Sequence, residues 1–184
     1  FAISIHTVTA FLYNGLIARP FWNSAILAPR FIASAFCSGP AVLLILMQFL
    51  RRFTRFHVQD LAIHKIAELM AYAMAVNLFL LGAEIFTEVY SNTEHVVHLK
   101  YMFVGVDGHS TIAPFMWFSV TASIAAMVLF LIPRTRRHPV TLNLGCVLIY
   151  FGVYFETGMG LVIPGVTPDT LGEFYAYFPS MNEI

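Results

Sequence analysis

The sequence predicts an all-α integral membrane protein, a polytopic bundle of transmembrane helices, on three observations. Charged residues make up 11% of the 184 and hydrophobic ones 59%, against about 25% charged in a soluble domain, and the mean hydropathy is +0.76. The apolar residues come in long runs, and about 20 mostly apolar residues suffice to cross a bilayer. The basic residues gather in alternate connections between those runs, as membrane topology demands. The absence of net charge argues against a nucleic-acid partner.

Residues 1–16 read as the end of a first, partial span. Full spans follow over residues 22–50, 61–86, 111–132 and 141–163. None carries the charged face that a water-soluble helix needs. Residues 95–104 are too polar to span and are expected along the interface, with Tyr101 and Phe103 at headgroup level. No repeat or low-complexity linker divides the chain, so residues 1–184 read as a single helical bundle portion. The first residue already lies inside a helix and the last follows a polar tail, so both ends read as cut, from a longer protein.

Orientation follows from the arginines and lysines. The connection after the second span carries Arg51, Arg52 and Arg55, and that after the fourth carries Arg134, Arg136 and Arg137. The connections on the other side hold only Arg19 and Lys100. The positive-inside rule places the arginine-rich side in the cytoplasm. The tail beyond Pro164, with Asp169, Glu173 and Glu183, then lies outside.

Ionisable groups inside a span cost roughly 2.5 to 3.5 kcal/mol on insertion scales, so each requires a partner or a role. The candidates are His6, Arg30, Glu84 and Glu156. At 1.5 Å per residue, Arg30 lies about 12 Å below the outer end of its span, Glu84 about 9 Å and Glu156 about 10 Å. Three charges from three helices thus form one layer toward the outer face. Asn23, Arg30, Ser34 and Ser38 share a stripe at spacings of 7, 4 and 4, and Asn77, Glu84 and Glu88 share another. Gly145, Gly152, Glu156 and Gly160 form a small-residue stripe suited to close helix approach, which points Glu156 into the bundle.

One reading of the layer is structural: Arg30 pairs with Glu84 or Glu156, the latter favoured by the glycine stripe, and sets helix register. The other is chemical. A quinone head group needs donors at its carbonyl oxygens and a base to take protons on oxidation. Arg30, Glu84 and Glu156 are the candidates for proton transfer, and His6, Tyr13, Asn23 and Arg30 for the quinone pocket. His6 and Tyr13 stand seven apart on one helical face and could supply a donor and a ring wall. Pro29 and Pro40 are expected to kink the second span. His57, His64 and His138 fall at cytoplasmic span ends, where they would face headgroups. With only His6 well inside the bilayer, a bis-histidine haem is not expected. Cys37 and Cys146 sit in apolar runs without ligand spacing, so no metal site is expected either.

The run Arg19-Pro20-Phe21-Trp22-Asn23-Ser24-Ala25-Ile26-Leu27-Ala28-Pro29-Arg30-Phe31, with Ser38-Gly39-Pro40 after it and Ser4-Ile5-His6-Thr7 before it, resembles the NrfD-like, or polysulfide-reductase membrane-subunit, family. The ending from Gly172 through Glu173, Phe174 and Tyr175 to Glu183 resembles the segment leading into that family's last helix. Within the family the wording is similar to the DsrP or HmcC type subunits of sulfate reducers' transmembrane redox complexes. The resemblance implies a C-terminal portion of a larger helical subunit of the prokaryotic cytoplasmic membrane. It also implies a menaquinone or ubiquinone site near the extracytoplasmic face, without haem or metal of its own. A ferredoxin-like iron–sulfur subunit, a multihaem cytochrome c and other membrane subunits are the implied partners, in anaerobic respiration and sulfur metabolism. Part of the family's quinone site belongs to helices that this chain does not carry. Two rivals stay open: a secondary transporter or ion-conducting bundle, and an anchor without an intact quinone site. A transporter would be expected to carry inverted repeats and broken helices.

Overall fold

Long unbroken apolar runs leave the backbone one way to satisfy its polar groups in lipid, the helix, and helix is what they form. The computed structural model describes residues 2–55, 58–91, 95–106 and 108–166. Among these, α1 covers Ala2–Asn14, α2 Leu27–Phe53, α3 Asp60–Ser91, α4 His95–Phe103, α5 Ala113–Leu131 and α6 Pro133–Arg137. The last span is composite: α7 (Pro139–Val153), a π-helical turn at Tyr154–Met159, and α8 (Gly160–Val166). A 3-10 turn, Pro20–Trp22, joins α1 to α2. No strand occurs among the described residues.

Four segments are long and apolar enough to cross a membrane: α2, α3, α5 and the composite Pro139–Gly165. The chain is therefore an all-α, multi-pass membrane protein. Its outward faces carry exposed Phe36, Phe79, Trp117 and Phe151, a surface suited to lipid or to neighbouring apolar helices. α3, at 32 residues, is about 48 Å long and overhangs a core about 30 Å thick. Its first turns carry Asp60, His64, Lys65 and Glu68, and there Asp60 pairs with Arg51 at the end of α2. In α6, Arg136 donates to the Phe130 carbonyl at 3.1 Å and approaches Glu68 at 3.7 Å.

The core is built from small and flexible side chains. Cys37, Ala41 and Leu44 of α2 meet Ala67, Met70, Ala71 and Met74 of α3, with Ala126 and Phe130 of α5 and Cys146 and Ile149 of α7. The glycine stripe of the last span lies against α5. A Cβ on Gly145 would come 2.5 Å from Phe130, on Gly152 2.7 Å from Ser123 Oγ, and on Gly160 2.6 Å from Met116 Sδ. α5 and α7 accordingly make the most extensive helix pair, as small-residue faces allow.

A second cluster closes the other end: Phe21, Trp22, Leu27, Tyr101, Met102, Ile112, Met116 and Leu161. Trp22 donates from Nε1 to the Leu161 carbonyl at 2.9 Å, and its indole lies where a Cβ on Gly165 would be. The His98 ring contacts the Pro164 carbonyl through Nδ1 at 2.6 Å. Helix α4 thus packs down on the bundle. Tyr101 is buried, not turned to headgroups as its sequence position suggests, and desolvation raises its phenol pKa above the ordinary value.

Three further expectations are corrected. The second span begins at Leu27, not at residue 22, because Pro20–Trp22 forms a separate 3-10 turn. Arg30 consequently sits in the first turn of α2, nearer its end than the 12 Å count supposed. Pro29 falls in that same first turn, where a missing N–H costs no helical hydrogen bond. Only Pro40 lies inside the helix. His57 and the tail from 167 onward, with Asp169, Glu173 and Glu183, lie outside the described residues.

Candidate functional site

The polar centre is a four-residue cluster from three spans. Arg30 of α2 donates from Nη1 to Glu84 of α3 and from Nη2 to Glu156 Oε1 at 2.9 Å. Arg30 thus joins both carboxylates, not Glu156 alone. The guanidinium's planar fork makes this sharing geometrically easy, because its two Nη groups each face a different carboxylate. Asn77 of α3 donates from Nδ2 to Glu156 at 3.2 Å and 2.9 Å, to Oε1 and Oε2 respectively. All four side chains are buried, Asn77 at 0% and Glu156 at 2% exposure.

Asn77 and Glu84 stand seven residues apart in α3, so one face presents both. Glu156 arrives differently. It lies in the π-helical turn Tyr154–Met159, whose extra residue per turn departs from the regular 3.6 spacing. Gly160 N–H reaches back five residues, to the Phe155 carbonyl, and Ser119 of α5 donates to the Gly152 carbonyl at 2.6 Å. The glycines before and after therefore face α5 while the carboxylate between them turns toward α2 and α3. Single-turn π-bulges of this kind recur at functional sites.

The cluster is electrostatically incomplete as an ion pair. One guanidinium meets two carboxylates, and the neutral Asn77 adds a donor but no charge. Asn77 Oδ1 is buried without a hydrogen-bond partner among the described residues. An excess carboxylate at this burial is costly unless it holds a proton or gains a further donor.

Beside the cluster opens a cleft of about 340 Å³ between α1, α2 and the last span. His6 and Thr9 line it from α1, Phe31, Ser34 and Ser38 from α2, and Tyr150, Tyr154 and Thr157 from the last span. Ser34 is one helical turn below Arg30, and Thr157 follows Glu156 directly, so the cleft wall and the cluster share backbone. Ser34 and Ser38 spend their hydroxyl protons on the Phe31 and Ser34 carbonyls, both at 3.0 Å, leaving oxygen lone pairs as acceptors.

The structure brings Arg30, Glu84 and Glu156 together and puts His6 in the neighbouring cleft. Tyr13 is one layer away: its ring packs edge-on against Trp22 at 4.9 Å and tilts on Phe31 at 6.1 Å, supporting Phe31 from behind. Asn23 is exposed and precedes α2, so it is off the stripe on which the longer helix would have set it. Asn77, Tyr154 and Thr157 do not stand out as site residues in the sequence. For Asn77 the signal is present, in its seven-residue spacing from Glu84.

Two curated relatives align with 89% of the chain. One, from Halobacterium salinarum, is 27% identical over 168 residues, with 37% of its length matched, and is provisionally named as a membrane subunit of dimethyl sulfoxide reductase. The other, from Archaeoglobus fulgidus, is 24% identical over 164 residues, with 41% of its length matched, and is named Hdr-like menaquinol oxidoreductase integral membrane subunit. The chain thus spans about two-fifths of the length of these relatives. The family model described as polysulphide reductase, NrfD, matches residues 1–167, and the chain, which carries the buried Arg30 cluster within that stretch, belongs to this family.

Proposed function

We propose that the chain forms part of a quinone-interacting membrane subunit of a multisubunit redox complex. In this reading menaquinone or ubiquinone exchanges electrons and protons with an iron–sulfur or cytochrome partner, and Arg30, Glu84 and Glu156 handle the protons. The observation that carries it is the cleft of about 340 Å³ next to a buried cation already shared by two carboxylates. The Archaeoglobus relative's name, a menaquinol oxidoreductase subunit, supports the same reading. The donor set fits the group. Phe31, Tyr150 and Tyr154 offer flat apolar walls, and His6, Thr9 and Thr157 offer polar atoms at the rim.

A bound quinone supplies two-electron chemistry coupled to two protons. The chain's own residues divide the remaining work. His6 and Thr157 orient a carbonyl oxygen, and the aromatic rings exclude water from the ring face. Glu156, linked to Arg30 and Asn77, holds or releases a proton, while Glu84 holds Arg30 in place. The arginine-rich connections lie in the cytoplasm and the cleft nearer the other face. A ferredoxin-like iron–sulfur subunit and a multihaem cytochrome c complete the complex.

The test uses the intact complex purified from membranes. A photoreactive menaquinone analogue is expected to label α1 near His6 and α2 near Ser34, with labelling suppressed by excess menaquinone. Saturable labelling confined to other subunits overturns the assignment of this cleft. Co-purifying iron–sulfur and haem c chains is the second expected result. A helical interruption beside buried charge also suits an ion path. That rival requires ion flux through proteoliposomes holding this subunit without redox partners.

A further inference from the structure

We infer that the arginine-rich end of the bundle holds the phosphate of an anionic phospholipid in a cleft remote from the Arg30 cluster. This cleft, about 850 Å³, opens where the last turns of α2, the first turns of α3 and the start of α7 converge. Arg51, Arg52 and Arg137 line it, against a single carboxylate, Asp60. Arg51 is paired with Asp60, whereas Arg52 and Arg137 have no ion pair among the described residues. Two positive charges lining the cleft therefore have no carboxylate partner among the described residues.

Further polar groups converge on the same space. His64 lines the cleft, and its Nδ1 is buried without a hydrogen-bond partner among the described residues. Helix α7 starts here with Pro139 in its first position and no side chain capping it, so its unsatisfied amides and positive dipole end add to the field. Gln48 of α2 donates to Asn143 of α7 at 2.7 Å, tying the two walls together below the arginines.

The remaining walls are apolar. Ile45, Phe49 and Val147 continue the cleft along the membrane-spanning parts of α2 and α7. A charged head over an apolar slot is the shape of a lipid, whereas an acidic peptide would gain nothing from the slot. Planar guanidinium groups bind phosphate oxygens in bidentate fashion, and basic clefts between transmembrane helices at the headgroup level suit anionic lipids.

The test measures lipid retained by the detergent-purified intact complex, by native mass spectrometry, with phosphatidylglycerol, phosphatidylcholine and inorganic phosphate as separate probes. Phosphatidylglycerol is expected to bind, phosphatidylcholine to bind more weakly, and millimolar phosphate not to displace the bound lipid. The double substitution Arg52→Gln and Arg137→Gln is expected to weaken phosphatidylglycerol binding about twenty-fivefold, two arginines each contributing about fivefold. Should the double variant fail to assemble, Arg137→Gln alone is expected to weaken it about fivefold. Equal binding of the two lipids, parental affinity in an assembled variant, or displacement by phosphate each overturns the proposal.

Discussion

Arg30 and Glu156, 126 positions apart, meet through Nη2 and Oε1 at 2.9 Å, and the carboxylate reaches that position from inside a π-helical turn. The arginine is anchored from its other side by Glu84, so α2, α3 and the last span are tied at one level. A buried charge cluster of this kind is weak evidence of stabilisation in itself, since desolvation offsets much of the attraction. Its consequence is asymmetric: removing one member exposes the cost of the rest.

Arg30→Gln is expected to destabilise the protein by roughly 3–5 kcal/mol, because two carboxylates are left buried without a cation. Arg30→Lys keeps the charge but loses the fork, and its loss is expected to be smaller. Both are measured by thermal unfolding in detergent. Parental stability in Arg30→Gln would contradict the paired geometry.

Asn77→Ala removes the amide that donates to both oxygens of Glu156. Hydrogen bonds to charged groups contribute about 1.5–3 kcal/mol, so a fall in stability of that order is expected. Asn77→Asp sets a third carboxylate beside Glu156 and is expected to be worse than Asn77→Ala. The order of the two midpoints in a denaturation series is the measurement.

Glu84→Gln and Glu156→Gln preserve shape while removing a proton carrier. At least one is expected to slow quinone-linked electron transfer while the complex still assembles. Turnover of a menaquinol analogue, measured across pH on assembled complexes, reads this out. Parental rates in both variants at every pH would leave the cluster a scaffold only.

Gly152→Ala brings a Cβ to 2.7 Å from Ser123 Oγ, on the face where α5 and the last span are closest. Overpacking of this sort costs about 1–3 kcal/mol. Gly39→Ala is the control, since nothing lies within 4 Å of a Cβ there. A lower melting temperature is expected for Gly152→Ala alone.

Cysteines introduced at Ser110 and in the 167–184 tail are expected to react with an impermeant maleimide from the extracytoplasmic side, and a cysteine at Arg134 only after the membrane is opened. The reverse pattern would invert the orientation derived from the arginine-rich connections.

Much of this is written in composition and spacing. The scarcity of charge and the length of the apolar runs determine helices in lipid, because no other backbone arrangement satisfies itself there. Arg30, Glu84 and Glu156 stand out because an ionisable group in a span demands an explanation. The seven-residue step from Asn77 to Glu84 sets both on one face. Periodicity alone could not decide where α2 begins, since Trp22 and Asn23 fit the helical pattern yet belong to or follow a 3-10 turn pinned by the indole bond to Leu161. Nor could it reveal the π-turn, which depends on how Gly152, Ser119 and α5 pack across the helix pair. Only tertiary contact placed Tyr13 behind Phe31, left Asn23 exposed and gave Arg30 two carboxylates in place of one. Pairwise spacing reads one helix at a time, whereas partner choice depends on how three helices rotate against each other.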